Sequence, residues 1–159
     1  MGEGPSGIPE IRRFLAVKGF RELKSHLQEV VAGRTGEAAL RMAIRAMRDF
    51  AHQRPGLSAA SFRSEMTDCP AWRQAGAELA EWLCSLLAEM GVSGVPAAHA
   101  LRTIRAFVRG FVIHEMQGSF LNNSDLEESF LFGVDALVWG LRRKAEILSM
   151  HKEAAKAAG

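Results

Sequence analysis

A histidine and a glutamate stand side by side in the run His114-Glu115-Met116-Gln117-Gly118, which begins like the helix of a zinc protease. That helix needs a second histidine one turn after the first, because both imidazoles must face one metal ion. Gly118 occupies that position here. No two histidines of the chain are four residues apart; they are His26, His52, His99, His114 and His151. The sequence therefore predicts no metal site.

Other catalytic signatures are also missing from the sequence. The glycines near the N-terminus, Gly2, Gly4 and Gly7, are not followed by the lysine of a phosphate-binding loop. No serine stands in a nucleophile-elbow motif. The two cysteines, Cys69 and Cys84, are not at metal-ligand spacing and suggest no disulfide framework. We therefore predict that the protein is not an enzyme and uses no cofactor.

His114 and Glu115 nevertheless lie in a stretch that is otherwise largely apolar. Leu101, Ile104 and Val108 recur there at helical spacing, which predicts a buried helix of about five turns over residues 100–120. Buried polar groups need hydrogen-bond partners, and these could be protein groups or a bound small molecule. Both residues are therefore candidates for ligand binding. Asp135, on the last predicted helix, raises the same question more weakly.

The composition of the chain favours a single helical domain. It has 159 residues, of which 48% are apolar, and it contains no tyrosine and few β-branched runs. The net charge of +2 is too small to argue for nucleic-acid binding. No apolar run approaches the roughly 18 residues that span a membrane, and the N-terminus does not resemble a signal peptide. We expect a cytoplasmic protein without membrane contact.

Hydrophobic periodicity and helix-capping residues divide the chain into about six helices. We predict them at about 9–31, 36–53, 57–66, 71–90, 96–118 and from 125 onward. Ser124 and Glu127 are spaced as a capping box for the last helix. On the second helix, Arg41, Arg45 and Arg48 form a basic line opposite the apolar side, which we interpret as a solvated face rather than a phosphate contact.

The central helix and its neighbours resemble a known family. The run Arg105-Ala106-Phe107-Val108-Arg109-Gly110-Phe111-Val112, followed by Glu115, Gly118 and Phe120, resembles the C-terminal domain of TetR-type transcriptional regulators of the WHG-type subgroup. Three other stretches, at residues 19–23, 54–57 and 125–141, resemble other parts of that domain and occur in the same order along the chain. The resemblance covers nearly the whole chain after about residue 14.

The resemblance implies an all-α TetR C-terminal-like bundle whose last two long helices pair with their symmetry mates in a homodimer four-helix bundle. It divides the chain into a flexible lead-in over 1–13, an effector-binding and dimerisation domain over 14–150, and a charged tail over 151–159. The expected dimer contacts are Phe130, Gly133, Leu137, Gly140 and Leu141. Gly133 and Gly140 could instead accommodate a neighbouring helix of the same chain.

The resemblance also implies a pocket for a small apolar or aromatic effector. Helical spacing selects its predicted lining, although each of these residues could equally fill the core: Phe50, Phe62, Met66, Trp72, Leu79, Leu83, Ile104, Phe107, Val108 and Phe111, with His114 and Glu115 added as polar candidates. TetR-type regulators carry a helix-turn-helix head before this domain, and residues 1–13 are too short to form one. We therefore expect DNA contact only through a segment absent from this chain. A helical protein-interaction module without a ligand is the alternative.

Overall fold

Six helices account for most of the residues that the computed structural model describes, which are 7–61 and 68–159. These ranges contain no strand. The all-α prediction is therefore confirmed. The helices are α1 (Ile8–Val31), α2 (Gly36–Gln53), α3 (Pro55–Ser61), α4 (Pro70–Glu89), α5 (Val95–Gln117) and α6 (Leu126–Ala157).

The helix ends follow local sequence signals in most places. Prolines occupy the first turns of α1, α4 and α5, where the missing backbone donor does no harm. Gly118 ends α5 in the left-handed conformation, with φ of 60°, as glycine commonly does at helix C-termini. Hydrophobic periodicity, together with proline and glycine at the helix ends, therefore suffices to place these helices.

Four local predictions differ from the structure or extend beyond the described residues. The predicted lead-in of 1–13 overlaps α1, which begins at Ile8, and the predicted tail of 151–159 continues α6 as far as Ala157. The Ser124 capping box is wrong, because Asp125 is the N-cap of α6 and no side chain caps the helix. The helix predicted over 57–66 is described only as far as Ser61, so its remaining residues lie outside the described part of the chain.

The helices pack around one core that places α5 between two layers. Helix α1 contacts α2, α3 and α4, while α5 packs against α2, α4 and α6. Helix α6 also reaches α2. It contributes a single stripe to the core at helical spacing, formed by Phe130, Val134, Val138 and Leu141. One side of α5 therefore meets α6, and another side meets the α1–α4 layer.

Gly19 allows α1 and α3 to approach closely. A Cβ atom at this position would lie 2.5 Å from the carbonyl oxygen of Leu57 and even nearer to the hydroxyl oxygen of Ser61. Ser61 is buried, and its hydroxyl donates a hydrogen bond to the Leu57 carbonyl oxygen at 2.8 Å. The contact between α1 and α3 therefore requires glycine.

Candidate ligand-binding site

A cavity of about 280 Å³ lies among α1, α2, α3, α4 and α5. Its walls are mostly apolar, and each of the five helices contributes side chains. Phe20 and Leu23 come from α1, while Met47 and Phe50 come from α2. The volume is close to the lower end of the range of about 300–1,000 Å³ typical of small-molecule sites.

Four of the predicted lining residues do line this cavity: Phe50, Leu79, Leu83 and Val108. They come from α2, α4 and α5. Phe62 and Met66 lie outside the described residues. That the cavity binds a ligand stays a prediction.

The structure places Trp72 and Ile104 outside the cavity lining. Trp72 packs on Phe20 with ring centroids 5.7 Å apart, and its indole N–H donates a hydrogen bond to the Ser61 carbonyl oxygen at 3.1 Å. Ile104 is 2% exposed and fills the core. Trp72 therefore stands behind one wall of the cavity, because Phe20 is the ring that lines it.

Phe107 and Phe111 also lie outside the cavity lining and face α6 instead. Phe107 stacks on Phe130 with centroids 5.2 Å apart, and Phe111 meets Phe130 edge-on at 5.1 Å. The apolar surface of α5 is wide enough to meet both layers, and sequence spacing does not say which layer each residue meets. The α5 residues that face the cavity are Leu101, Arg105, Val108, Arg109, Val112, Ile113 and Met116.

Glu115 lies outside the cavity lining and binds Arg48. The Arg48 Nε donates to Glu115 Oε2 at 3.0 Å, and Nη2 donates to Oε1 at 2.5 Å. The same guanidinium pairs with Glu127 at the start of α6 and lies 4.9 Å from the Phe130 ring centroid. His52 Nε2 lies 2.7 Å from Glu115 Oε2. The buried polar group on α5 thus has protein partners, and the cluster joins α2, α5 and α6.

Burial and hydrogen bonding act in opposite directions on the Glu115 carboxyl. Burial raises its pKa, but the hydrogen bonds from Arg48 and His52 outweigh burial, and the pKa lies below its ordinary value. The hydrogen bond with Glu115 raises the pKa of Arg48 above its ordinary value. The side chains of Arg48 and Glu115 are only 12% and 8% exposed. The pair is therefore charged and largely buried.

The interpretation of the α2 arginines as a solvated face is wrong. Besides the Arg48 cluster, Arg41 pairs with Asp135 of α6, and Arg45 Nη2 lies 3.2 Å from Glu127 Oε1. Arg41 also bonds Glu37 one turn earlier, at 3.1 Å. These contacts give Asp135 a protein partner too. The line faces the acidic residues of α5 and α6, so it connects two layers of the bundle.

His114 lies outside the cavity lining and close to solvent. It is exposed, and its Nδ1 lies 2.7 Å from the hydroxyl oxygen of Ser119. Its ring stacks obliquely on Phe120 with centroids 5.2 Å apart. These contacts order the turn that follows α5.

Two arginines that the sequence analysis did not select lie on the cavity wall. Arg105 and Arg109 are one helical turn apart on α5, and both line the cavity. Burial lowers the pKa of Arg105, and the positive charge of Arg109 lowers it further. In the sequence, their four-residue spacing indicates only that the two arginines share one side of α5. It does not indicate that this side borders a cavity.

The predicted dimer contacts occupy different environments on α6. Phe130 and Leu141 are buried in the core of their own subunit, and Leu137 is half-buried. Gly133 accommodates Phe107 of the same chain, because a Cβ there would lie 2.5 Å from Cε2 of that ring. Gly140 is exposed, and among the described residues no atom outside the neighbouring backbone of α6 lies within 4 Å of a Cβ built there.

No helix of the described residues is both long and apolar enough to cross a bilayer. The same residues contain no group of three or more side chains placed to hold a metal ion.

The described residues thus form a helical bundle with an apolar cavity beside a long C-terminal helix pair. The family model described as "Tetracyclin repressor-like, C-terminal domain" matches residues 40–137, more than half of the chain. The chain therefore belongs to the TetR family of transcriptional regulators, a class that is generally not enzymatic.

Two relatives agree with this assignment. The chain is 28% identical over 143 residues to the uncharacterized HTH-type transcriptional regulator YobS of Bacillus subtilis. The aligned stretch covers 86% of this chain and 71% of that protein. It is 27% identical over 149 residues to the uncharacterized HTH-type transcriptional regulator Rv0681 of Mycobacterium tuberculosis. This alignment covers 89% of this chain and 68% of that protein.

Proposed function

We propose that this chain is the effector-sensing and dimerisation part of a TetR-family regulator. A small ligand binds in the cavity among α1–α5, and α5 and α6 pair with the same helices of a second subunit. The observation that carries the proposal is the cavity of about 280 Å³. It lies beside α5, the helix that also packs on α6.

The exposed surface of α6 supports the dimer. Phe132 and Trp139 are 77% and 58% exposed, and Met150 is 61% exposed. The three lie on one side of α6 at helical spacing, with Gly140 next to Trp139. Large exposed apolar side chains that share one side of a helix are typical of an interaction surface. A two-fold axis would make such a surface self-complementary.

The ion pairs between α2 and the last two helices provide a route from cavity to interface. Met47 and Phe50 of α2 line the cavity, and Arg48 between them binds Glu115 and Glu127. A ligand that displaces α2 would therefore act on the positions of α5 and α6. A ligand shifts the equilibrium between two arrangements only by its difference in affinity for them.

We propose that DNA contact is made by a segment other than the helices described here, and that the protein acts in the cytoplasm, where a regulator meets its operator. The alternative function is a helical protein-interaction module without a ligand. The exposed Phe132 and Trp139 fit that alternative as well as the homodimer, because an apolar surface on α6 suits a protein partner whether or not the cavity holds a ligand.

Native mass spectrometry of protein purified from its own host tests both parts of the proposal. We expect a dimer that retains a small molecule. The cavity-filling variant Ala80→Phe, which replaces a lining residue, should remain a dimer and lose the retained mass. A dimer without any retained mass would favour the interaction module, and a ligand-free monomer would contradict the whole proposal.

A further inference from the structure

One side of α6 is exposed along most of the length of the helix. Its exposed residues follow one another at intervals of three or four, which places them on a single side of an α-helix. We call this set the outer stripe of α6. Its members are Glu128, Phe132, Ala136, Trp139, Arg143, Glu146, Met150 and Ala154. The side chains that α6 buries in the core lie on the opposite side of the helix.

The outer stripe is symmetric about the level of Leu141. Phe132 and Met150 lie nine residues before and after Leu141, and Trp139 and Arg143 lie two residues before and after it. The other four members are spaced in the same symmetric way. A two-fold axis perpendicular to α6 at this level would therefore bring each member of the stripe against its counterpart on a second copy of the chain.

We propose that two copies of this chain pair through their outer stripes, with the two α6 helices antiparallel about the level of Leu141. Phe132 of one subunit packs on Met150 of the partner subunit. Trp139 lies against Arg143 of the partner subunit. This inference rests on the proposed dimer and deepens it, because it gives the direction and the register of the α6 contact.

Both contacts in this register join chemically suited side chains. A thioether packs favourably against an aromatic ring. A guanidinium group is attracted to the face of an indole ring. Phe132, Trp139 and Met150 are each more than half exposed in the single chain, and the Arg143 side chain is 67% exposed. The pairing would therefore cover the large exposed side chains of the outer stripe, and each contact occurs twice in the dimer.

The charges along α6 favour the antiparallel direction over the parallel one. Residues 125–140 carry four carboxylates and neither lysine nor arginine, whereas residues 141–157 carry five lysine or arginine side chains and two carboxylates. Glu127 and Asp135 already pair with α2, which leaves Glu128 on the outer stripe at the acidic end. Antiparallel helices place each acidic half beside the basic half of the other subunit, and their dipoles are opposed. Parallel helices would instead bring like charges together.

The C-terminal end of α6 lacks support from its own core. A Cβ atom built at Gly91 would lie 3.5 Å from Cβ of Ala145, so α6 still contacts the bundle at that level. Every residue from Ser149 to Ala157 is exposed. Most helices in proteins gain their stability from packing. In the antiparallel register, Met150 and Ala154 would be covered by the partner's acidic half of α6.

Cysteine crosslinking of the full chain tests the direction and the register. In a background with Cys69→Ser and Cys84→Ala, which removes both native cysteines, Phe132→Cys and Met150→Cys are introduced singly and together. Packed helices have axes about 8–10 Å apart, within the reach of a short bismaleimide crosslinker. The double variant should form a covalent dimer on a denaturing gel. Each single variant should not, because 18 residues of helix would separate its two thiols by about 27 Å.

A second measurement keeps the aromatic side chains and the cysteines unchanged. Arg143→Ala should weaken the dimer about tenfold in analytical ultracentrifugation, because two contacts with Trp139 are lost. Arg142→Ala is the matched control, since Arg142 is the preceding residue and pairs with Glu37 of its own chain. It should leave the dimer dissociation constant close to that of wild type. This comparison decides the matter if the cysteine variants do not fold or do not associate.

The outcomes separate this inference from the function on which it depends. Crosslinking of Phe132→Cys alone would show parallel helices and overturn the proposal. A dimer in light scattering without any crosslink in the double variant would also overturn it and leave a dimer formed through another surface, as would equal effects of Arg143→Ala and Arg142→Ala. A monomeric wild-type chain would contradict the proposed dimer itself.

Discussion

Replacing Arg48 by methionine should destabilise the protein strongly, because it leaves the Glu115 carboxylate buried without its main partner. The Glu115 side chain is 8% exposed and accepts two hydrogen bonds from Arg48. Methionine keeps an unbranched apolar side chain of similar length beside Phe111 and Phe130. The variant Arg48→Met therefore removes the charge and the hydrogen bonds while it preserves most of the packing.

The expected loss is about 2–3 kcal/mol in the free energy of unfolding. Removing one partner of a buried ion pair costs about 3–5 kcal/mol, because the other charge stays desolvated. The loss here should lie below that range, because His52 still reaches Glu115 Oε2 at 2.7 Å and leaves the carboxylate one protein partner. Glu127 loses little, because its side chain is 56% exposed and water can solvate it.

Urea unfolding monitored by circular dichroism measures the difference. Both proteins are compared at one protein concentration, because subunit association makes apparent stability depend on concentration. Arg45→Met is the matched control on the same side of α2. Arg45 pairs with Glu127, and both side chains are more than half exposed, so its loss should cost less than about 1 kcal/mol. The reasoning about burial fails if Arg48→Met costs no more than Arg45→Met.

The same carboxylate predicts how the stability of the native protein depends on pH. The folded-state pKa of Glu115 lies below its ordinary value, so its ion pair contributes stability above the unfolded pKa of about 4.3 and loses it as the pH falls through the folded pKa. Glu115→Gln should be less stable than wild type at neutral pH, and the gap should narrow in acid. A gap that stays constant down to the acid transition would refute the assignment.

Three further changes test the helix contacts. Gly140→Arg should dissociate the dimer in size-exclusion chromatography with light scattering, and the control Gly56→Arg, also at an open glycine, should not; an intact dimer in both would place the interface elsewhere. Gly133→Ala should cost about 1–3 kcal/mol because the new methyl group meets the Phe107 ring, and unchanged thermal unfolding would show that the ring moves freely. Gly19→Ala should cost at least as much, because the obstacle there includes the backbone of α3, and an equal melting temperature to wild type would contradict the close α1–α3 approach.

The sequence by itself determined the helices and the family. Prolines in the first turns of α1, α4 and α5 and the left-handed Gly118 after α5 act within a few residues, so local reading places them correctly. The family motif lies within α5, where it could be read from residue types and spacing without any knowledge of packing.

Only the tertiary structure decided what each side of a helix meets. Phe107 and Val108 are both apolar, and the sequence predicted both as cavity lining. In the structure Phe107 packs on Phe130, and Val108 lines the cavity. Arg48 looked solvated because its partner Glu115 is 67 residues away in the chain. Periodicity fixes the direction of a side chain relative to its own helix. Which helix, charge or empty space lies in that direction depends on packing between distant segments, and no local pattern encodes it.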